Sequence, residues 1–378
     1  MLGAATAQGQ SNKLSPEAEI SLITCGPWQG EVYTAFGHTA IRVNDPVNRF
    51  DAAYNYGVFD FGQPNFYINY TKGLLLFELG VYNYSDFIYN YSYYNRSVVE
   101  QVLNLSPSQK QALFDYLQWN ALPENKTYRY DYFFNNCSSK VRDVIVEVLG
   151  DSLKFDDSYI KTDYTIRQLT DLYLKQQPWG DLGIDICLGL PMDKHATPYE
   201  YMFLPDYLES SFDHATLTLN GKTIPAVKVK QAAYTPVPEE PAKTMIHPWV
   251  VFGLLFLIIS IITFNDLRRK KLSKWLDLGL FIITGLLGLL LILLWTATDH
   301  QAAAKNFNIL WALPTNLFVV LIYRQKSAEF LKKYFTIAAI IYTIVLISWF
   351  FLPQQLHIFL LPLVGGLLFR AYAITRLL

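Results

Sequence analysis

Long apolar runs without charged residues dominate the last third of the chain. They cover residues 248–265, 278–298, 306–323 and 334–356. Each run is long enough, or nearly so, to cross about 30 Å of hydrocarbon as an α-helix. A fifth run at 358–369 is shorter, but it extends to the last residue if Arg370 and Arg376 reach the interface. The pattern predicts an all-α membrane domain of about five transmembrane helices over residues 247–378.

Basic residues alternate between the loops that join these runs. Segment 267–274 follows the first run, segment 324–333 follows the third, and Arg370 and Arg376 follow the fifth. The two intervening loops contain Lys305 as their one basic residue. Because positively charged loops face the cytoplasm, we expect a multi-pass protein of the inner (cytoplasmic) membrane with its C-terminus cytoplasmic and its large N-terminal domain periplasmic.

The first sixteen residues have no hydrophobic periodicity. Ala5-Thr6-Ala7 is similar to a signal-peptide cleavage site, although no charged segment or apolar core precedes it. We interpret residues 1–16 as the remnant of an export signal, because the topology requires export, and the alternative is a flexible tail.

Residues 17–215 mix alternating and helical patterns. Segments 21–25, 39–43 and 50–54 read as strands. Ser106 and Pro107 open a helix that runs to about Trp119, and a second helix starts at Cys137 and stops at Gly150. These patterns predict an α+β periplasmic domain.

Residues 216–246 connect the two domains. Leu217-Thr218-Leu219 alternates into Asn220-Gly221, which predicts a β-hairpin. The Pro-rich segment 235–241 that follows is typical of a stiff spacer.

Composition narrows the class of protein. Apolar residues form 52% of the chain and charged residues 17%, which excludes disorder as the main state. The net charge of -1 combines a basic C-terminal domain with an acidic remainder, and neither half has the concentrated basic face of a nucleic-acid-binding protein.

Three cysteines are too few for a disulfide scaffold, allow at most one disulfide, and lack metal-ligand spacing.

Cys137 is the candidate nucleophile. It stands where an irregular polar segment becomes a helix, and the positive end of the helix dipole lowers the pKa of a thiol there. A cysteine nucleophile needs a base, and His38 supplies an imidazole at the start of a predicted strand.

The imidazole in turn needs an orienting partner. If residues 44 and 45 form the centre of the hairpin turn, Asp51 faces His38; if the centre lies two residues later, Asn55 takes that place. Asn136 or the backbone N–H of Cys137 is the candidate oxyanion donor.

Structural interpretations of the same residues stay open. Cysteine is commonly a small core residue, and a single histidine before a strand is commonly a hydrogen-bonding residue. Asp51 has an alternative partner across the hairpin in Arg42. Cys25 and Cys187 look structural, although Cys25 is a second candidate to line the site.

The membrane domain holds a second group of candidates, for a lipid headgroup or for the roof of the active site: Asp299, His300, Asn306, Asn308, Trp311 and Asn316. Polar groups inside a membrane are costly and indicate function by default, while bonding to a neighbouring helix is the alternative.

Tyrosines between 82 and 94 suit either a lipid interface or a packed aromatic surface.

The order of His38-Thr39-Ala40-Ile41-Arg42-Val43, Asp51 and Asn136-Cys137 resembles the circularly permuted papain-like thiol fold of the lecithin:retinol acyltransferase type. That family has a histidine as the polar partner, where this chain has Asp51 after one extra residue.

A closer resemblance covers nearly the whole chain. It is to the Bacteroidota lipoprotein N-acyltransferase family called Lnb, whose exported part is the Lnb N-terminal periplasmic domain. The motifs that carry it are Cys25-Gly26-Pro27, Gly37-His38-Thr39, Asp51 to Phe59, Asn135-Asn136-Cys137-Ser138, Cys187-Leu188-Gly189 and Met202 to Leu208.

The resemblance implies acyl transfer through a Cys137 thioester, with a membrane phospholipid as donor, the α-amine of a diacylglyceryl-cysteine lipoprotein as acceptor, and His38 moving the protons. No metal or organic cofactor is implied. The competing hypotheses are a membrane-anchored cysteine hydrolase, either a phospholipase or a peptidoglycan amidase or peptidase, and a membrane receptor without catalytic activity.

Overall fold

The computed structural model of the protein describes residues 13–59, 62–238, 246–321 and 327–378. The described residues separate into two compact units. The first, here called the sheet unit, consists of the described residues within Met1–Phe66, Leu74–Asp163 and Ala196–Glu240. The second, here called the helical unit, consists of the described residues within Tyr67–Gly73, Tyr164–His195 and Pro241–Leu378.

The sheet unit is built on a seven-stranded antiparallel sheet in the order β10-β5-β1-β2-β3-β4-β6, with a separate three-stranded sheet in the order β7-β8-β9. The strands are β1 Glu19–Cys25, β2 His38–Asp45, β3 Phe50–Val58, β4 Leu76–Asn83, β5 Val98–Leu103, β6 Thr127–Arg129, β7 Leu153–Lys154, β8 Thr216–Leu219, β9 Lys222–Pro225 and β10 Val227–Tyr234.

The described helices are α1 Phe66–Thr71, α2 Tyr84–Tyr93, α3 Pro107–Asn120, α4 Cys137–Leu149, α5 Ile166–Leu174, α6 Pro178–Cys187, α7 Pro198–Tyr201, α8 Pro205–His214, α9 Pro248–Arg269, α10 Lys274–Thr296, α11 Thr315–Leu321, α12 Ala328–Ser348 and α13 Leu361–Leu377. The predicted α+β domain followed by a helical membrane domain is confirmed.

Both faces of the central strands are buried. On one face, Ile41 of β2 joins a core with Val141 and Ile145 of α4, and on the other face Ala40 joins Phe87 of α2. This explains why β1 is buried along nearly its whole length, including the polar residues Ser21 and Thr24. The sheet therefore holds α4 against β2 and β3.

The predicted hairpin at residues 216–225 is present, with positive φ at Asn220 and Gly221 as a two-residue turn of this type requires. The chain then does not become a linker at once. Strand β10 pairs with β5 and forms one edge of the large sheet. The sheet unit thus extends to residues that the sequence pattern placed between the domains.

Four helices of the helical unit are long and apolar enough to cross a membrane within the part of the chain that the structure describes: Pro248–Arg269, Lys274–Thr296, Ala328–Ser348 and Ile358–Leu377. The third expected span, 306–323, differs. It begins with a 3-10 turn at Phe307–Leu310 and becomes α-helical only at Thr315, while residues 322–326 lie outside the described residues.

Two causes interrupt this third span. Pro314 has no N–H for a helical hydrogen bond, so it favours a helix that starts beside it. The preceding residues also approach α10 very closely. A Cβ added at Gly288 of α10 would lie 1.8 Å from the carbonyl oxygen of Ala312, so only glycine fits there.

Residues 164–195 belong to the helical unit, although their sequence pattern placed them in the periplasmic domain. Fully buried Arg167 bonds to Asp185 at 2.8 Å and to Asp193 at 3.0 Å. Gln354, between α12 and α13, donates to the carbonyl oxygen of Leu188 at 3.0 Å. Polar contacts distant in sequence, rather than local periodicity, therefore fix this segment.

Candidate active site

Cys137 is the first residue of α4, as the sequence predicts. Asn136 caps the helix: its side-chain oxygen accepts from the N–H of Ser139 at 2.9 Å, and the Ser139 hydroxyl accepts from the N–H of Asn136 at 2.7 Å. The cap makes the helix begin at the cysteine. The thiol therefore lies at the positive end of the helix dipole, and the residue is 9% exposed.

His38, the first residue of β2, lies beside this thiol. The Cys137 thiol and the His38 ring are close enough for each to shift the pKa of the other. Nε2 of His38 lies 2.5 Å from Oδ1 of Asn55, on β3. Because an amide oxygen only accepts, this contact puts a proton on Nε2. The three side chains form a Cys–His–Asn arrangement in which each member contacts the next.

The two reactive groups shift each other's pKa in opposite directions. Burial alone would raise the pKa of Cys137, but the charge and hydrogen bond of His38, the backbone N–H of Thr39 and the hydroxyl of Ser138 lower it below its ordinary value. Burial alone would lower the pKa of His38, but Cys137 and the hydrogen bond to Asn55 raise it. Both directions favour a thiolate beside an imidazolium.

Gly57 lets the backbone of β3 pass close to both groups. Its φ of +92° is in the range that residues with a side chain rarely adopt. A Cβ added there would lie 3.4 Å from Cβ of Cys137 and 3.9 Å from Cε1 of His38. A glycine inside a strand is a sequence signal for such an approach, but the strand predicted at 50–54 ended before Gly57.

Asp51 does not face His38, which corrects the first expectation from the hairpin. The register pairs Asn44 with Asp51 and Ile41 with Tyr54, so the turn lies at residues 46–49 rather than at 44 and 45. Asp51 instead bonds Arg42 through two contacts of 2.8 Å. The orienting contact falls to Asn55, the second of the two candidates.

The side chain of Asn136 has no free donor for an oxyanion. Its Nδ2 donates to the carbonyl oxygens of Tyr132 at 3.0 Å and Phe203 at 2.8 Å, while its oxygen caps α4. The amide thus anchors the start of the helix, and of the two oxyanion candidates the backbone N–H of Cys137 remains.

Cys25 and Tyr91 lie next to His38. Cys25 pairs with His38 across β1 and β2, and the ring of Tyr91 stacks on the imidazole at a centroid distance of 6.1 Å. Burial raises the pKa of Cys25, which keeps this thiol protonated. Of the two buried thiols in the sheet unit, only Cys137 is activated. The sequence did not identify Tyr91 as a residue that packs against His38.

A cavity of about 420 Å³ opens beside the imidazole. Aromatic and apolar side chains line it together with a few polar groups, His38 and Asn55 among them. The lining includes His38, Asn55, Phe59, Asp86, Phe87 and Arg96. A cavity with an apolar wall and a few convergent polar groups is the usual form of a small-molecule site.

The second group of candidates serves internal bonding in the helical unit. Asn306 and Asn308 donate to backbone carbonyls at 186 and 187, Trp311 donates to Asn308 at 2.8 Å, and Asn316 bonds Thr284, Tyr334 and Tyr342. The Asp299 N–H donates to the carbonyl oxygen of Lys72, and Nε2 of His300 lies 3.1 Å from the carbonyl oxygen of Tyr70. These contacts match the structural alternative, because the amides of Asn306, Asn308 and Asn316 are already engaged.

The tyrosines between 82 and 94 divide between the core and the surface. Tyr84 and Tyr91 are buried with Phe87. The exposed ones are Tyr82, Tyr89, Tyr93 and Tyr94. The buried members are part of the packing around the site.

Two family models match the chain. Residues 8–171 match the Lnb N-terminal periplasmic domain, and residues 240–378 match the Lnb transmembrane domain. No curated protein and no solved structure matches it. The family resemblance carried by the sequence motifs is thereby confirmed.

Proposed function

Because the chain belongs to the Lnb family, with the periplasmic domain of that family followed by its transmembrane domain, we propose that it is a cysteine-dependent lipoprotein N-acyltransferase. The acyl donor is a membrane phospholipid, and the acceptor is the α-amine of a diacylglyceryl-cysteine lipoprotein.

One observation carries the proposal: Cys137 begins α4, with its thiol close enough to His38 for each group to shift the pKa of the other, and His38 meets Asn55 through Nε2. This is the arrangement of an activated nucleophile, a proton-transferring base and an orienting group. The chain order, with the histidine strand before the cysteine helix, is consistent with a permuted papain-like domain.

In the first half-reaction, the Cys137 thiolate attacks the carbonyl carbon of a phospholipid ester. A carbon–sulfur bond forms and the ester carbon–oxygen bond breaks. The imidazolium of His38 gives its proton to the departing alkoxide, which leaves as a lysophospholipid. The backbone N–H of Cys137, at the start of α4, donates to the oxyanion of the tetrahedral intermediate.

In the second half-reaction, the lipoprotein amine attacks the thioester. A carbon–nitrogen bond forms, the carbon–sulfur bond breaks, and His38 takes the proton that the amine loses. The thiolate and the imidazolium are restored, so no cofactor is consumed. Water in place of the amine gives a hydrolase, and the acceptor therefore decides between the two activities.

The proposed compartment of the protein rests on its two domains and on the positions of its basic residues. The protein is membrane-anchored with a periplasmic N-terminal domain. We place it in the inner membrane with a cytoplasmic C-terminus, because basic residues 268–271 end the first membrane helix and Arg376 lies in the last turn of the final one. Both lipid substrates are then within reach of the periplasmic thiol.

The test is mass spectrometry of a lipoprotein N-terminus from cells that carry the wild-type chain or Cys137→Ala. We expect the third acyl chain to disappear in the variant. Cys187→Ala is the matched control, because this free thiol lies in the helical unit. An N-acylated lipoprotein in the Cys137→Ala cells rejects the proposal.

A second readout follows the intermediate. Purified protein given a labelled phospholipid without acceptor should carry a hydroxylamine-sensitive acyl group on residue 137. Release of free fatty acid at an equal rate with and without acceptor would assign a hydrolase instead.

A further inference from the structure

Arg96 brings a buried positive charge to the cavity beside His38. The residue is 8% exposed and lines the same cavity as His38 and Asn55. Its Nε donates to the carbonyl oxygen of Gly26 at 2.8 Å, and its Cζ lies 4.7 Å from the ring centroid of Tyr91. Its Nη2 is buried and has no hydrogen-bond partner among the residues that the structure describes.

This arginine differs from the other buried arginines of the described chain. Each of those is paired with a carboxylate: Arg142 with Asp143, Arg167 with Asp185 and Asp193, and Arg370 with Asp266 and Asp277. A buried guanidinium nitrogen without an acceptor is costly, since it has lost its water without gaining a partner. The arrangement suits a ligand that brings anionic oxygens.

The cavity indicates which anion fits. Arginine presents a planar set of donors that matches phosphate oxygens. Phe59 and Phe87 contribute apolar surface to the same cavity, and Asp86, the carboxylate of its lining, is exposed. A ligand with a phosphate and an apolar body therefore complements the site better than a free anion does.

We propose that Arg96 binds the phosphodiester of the donor phospholipid and so selects phosphate-bearing lipids over neutral glycerolipids. This assignment rests on the proposed function. In a glycerophospholipid, the phosphate and the acyl esters share one three-carbon backbone. A phosphate held at Arg96 therefore keeps an ester carbonyl in the cavity that contains His38.

The experiment compares two donors of identical acyl chains, phosphatidylglycerol and diacylglycerol, presented to the full-length protein in detergent micelles. The readout is the rate of acyl-enzyme formation on residue 137, and the ratio of the two rates within each variant is the quantity compared. We expect the wild type to prefer phosphatidylglycerol at least about tenfold, the effect of one charge-assisted contact.

Arg96→Gln should bring this ratio close to one, and Arg96→Lys, which keeps the charge but not the fork, should give an intermediate ratio. Arg142→Gln is the matched control, since Arg142 is also buried and also lies over a tyrosine ring. It should keep the wild-type ratio. Equal losses with both donors in Arg96→Gln would overturn the assignment, because they would show that Arg96 acts only by positioning Tyr91 and His38.

If an Arg96 variant does not fold, the acylation rates of the wild type with the two donors still test the proposal. An acyl-enzyme that forms equally fast from both donors refutes the role of Arg96 and leaves the proposed function intact, whereas no acyl-enzyme from either donor refutes both. Competition by inorganic phosphate distinguishes a lipid phosphate from free phosphate as the ligand of Arg96. We expect it not to slow transfer from phosphatidylglycerol; inhibition that disappears in Arg96→Gln would assign the site to free phosphate instead.

Discussion

The contact between His38 and Asn55 allows a test that also decides between the two orienting residues suggested by the sequence. Asn55→Ala removes the acceptor from Nε2 of His38. The ring is charged in the reactive thiolate–imidazolium pair, so the lost bond has the strength of a hydrogen bond to a charged group, about 1.5–3 kcal/mol, and its loss lowers the population of that pair. The acylation rate of Cys137 should fall by about 10–150-fold.

Asp51→Ala is the matched control, because Asp51 lies on the same strand. It pairs with Arg42, its side chain is 41% exposed, and Arg42 keeps its second partner, Glu100. An exposed ion pair contributes about 0–1 kcal/mol to stability, so the acylation rate should stay within about threefold of the wild type.

The assay is rapid-quench acylation by a labelled phospholipid, with thermal unfolding measured for each variant to separate loss of fold from loss of orientation. Asn55→Asp, which keeps an acceptor oxygen, should recover part of the rate. The orienting role of Asn55 is refuted if Asp51→Ala is as slow as Asn55→Ala, or if Asn55→Ala acylates at the wild-type rate.

Two further predictions concern the same site. Because His38 lowers the pKa of Cys137 against the effect of burial, iodoacetamide should alkylate residue 137 at a lower pH than an ordinary cysteine. His38→Ala leaves burial unopposed by the imidazole, so the midpoint of the pH–rate curve should move to higher pH; an unmoved midpoint would contradict the pairing. Gly57→Ala adds backbone strain of about 1–3 kcal/mol where β3 passes Cys137 and His38, so both melting temperature and acylation rate should fall. Gly150→Ala shares the positive φ but has no atom within 4 Å of the added Cβ, and its acylation rate should match the wild type.

Local patterns were sufficient for several elements of this protein. Ser106 and Asn136 cap helices that begin at Pro107 and Cys137, because a cap needs only residues within one turn of the helix. The lengths of the apolar runs likewise predicted four of the five expected spans, since the thickness of a bilayer sets the length of a helix that crosses it. The candidate nucleophile and base followed from residue type and from their places at the ends of elements.

Tertiary structure decided what depends on register and on distant contacts. Asp45 accepts from the N–H of Asn48, which stabilises the turn at 46–49 and shifts the pairing that the sequence assumed, so that Asn55 rather than Asp51 reaches His38. A change of turn length alters which residues face each other, and no local pattern specifies it.

The same limit applies to two other features. The buried bonds of Arg167 hold residues 164–195 together, and Gln354 joins them to the rest of the helical unit through Leu188, a contact that the periodicity of the segment does not indicate. Arg96 is one more arginine in the sequence, and only the packed structure shows it buried beside His38 without a carboxylate. Secondary structure comes from near neighbours along the chain, whereas the environment of a charge comes from every element that packs around it.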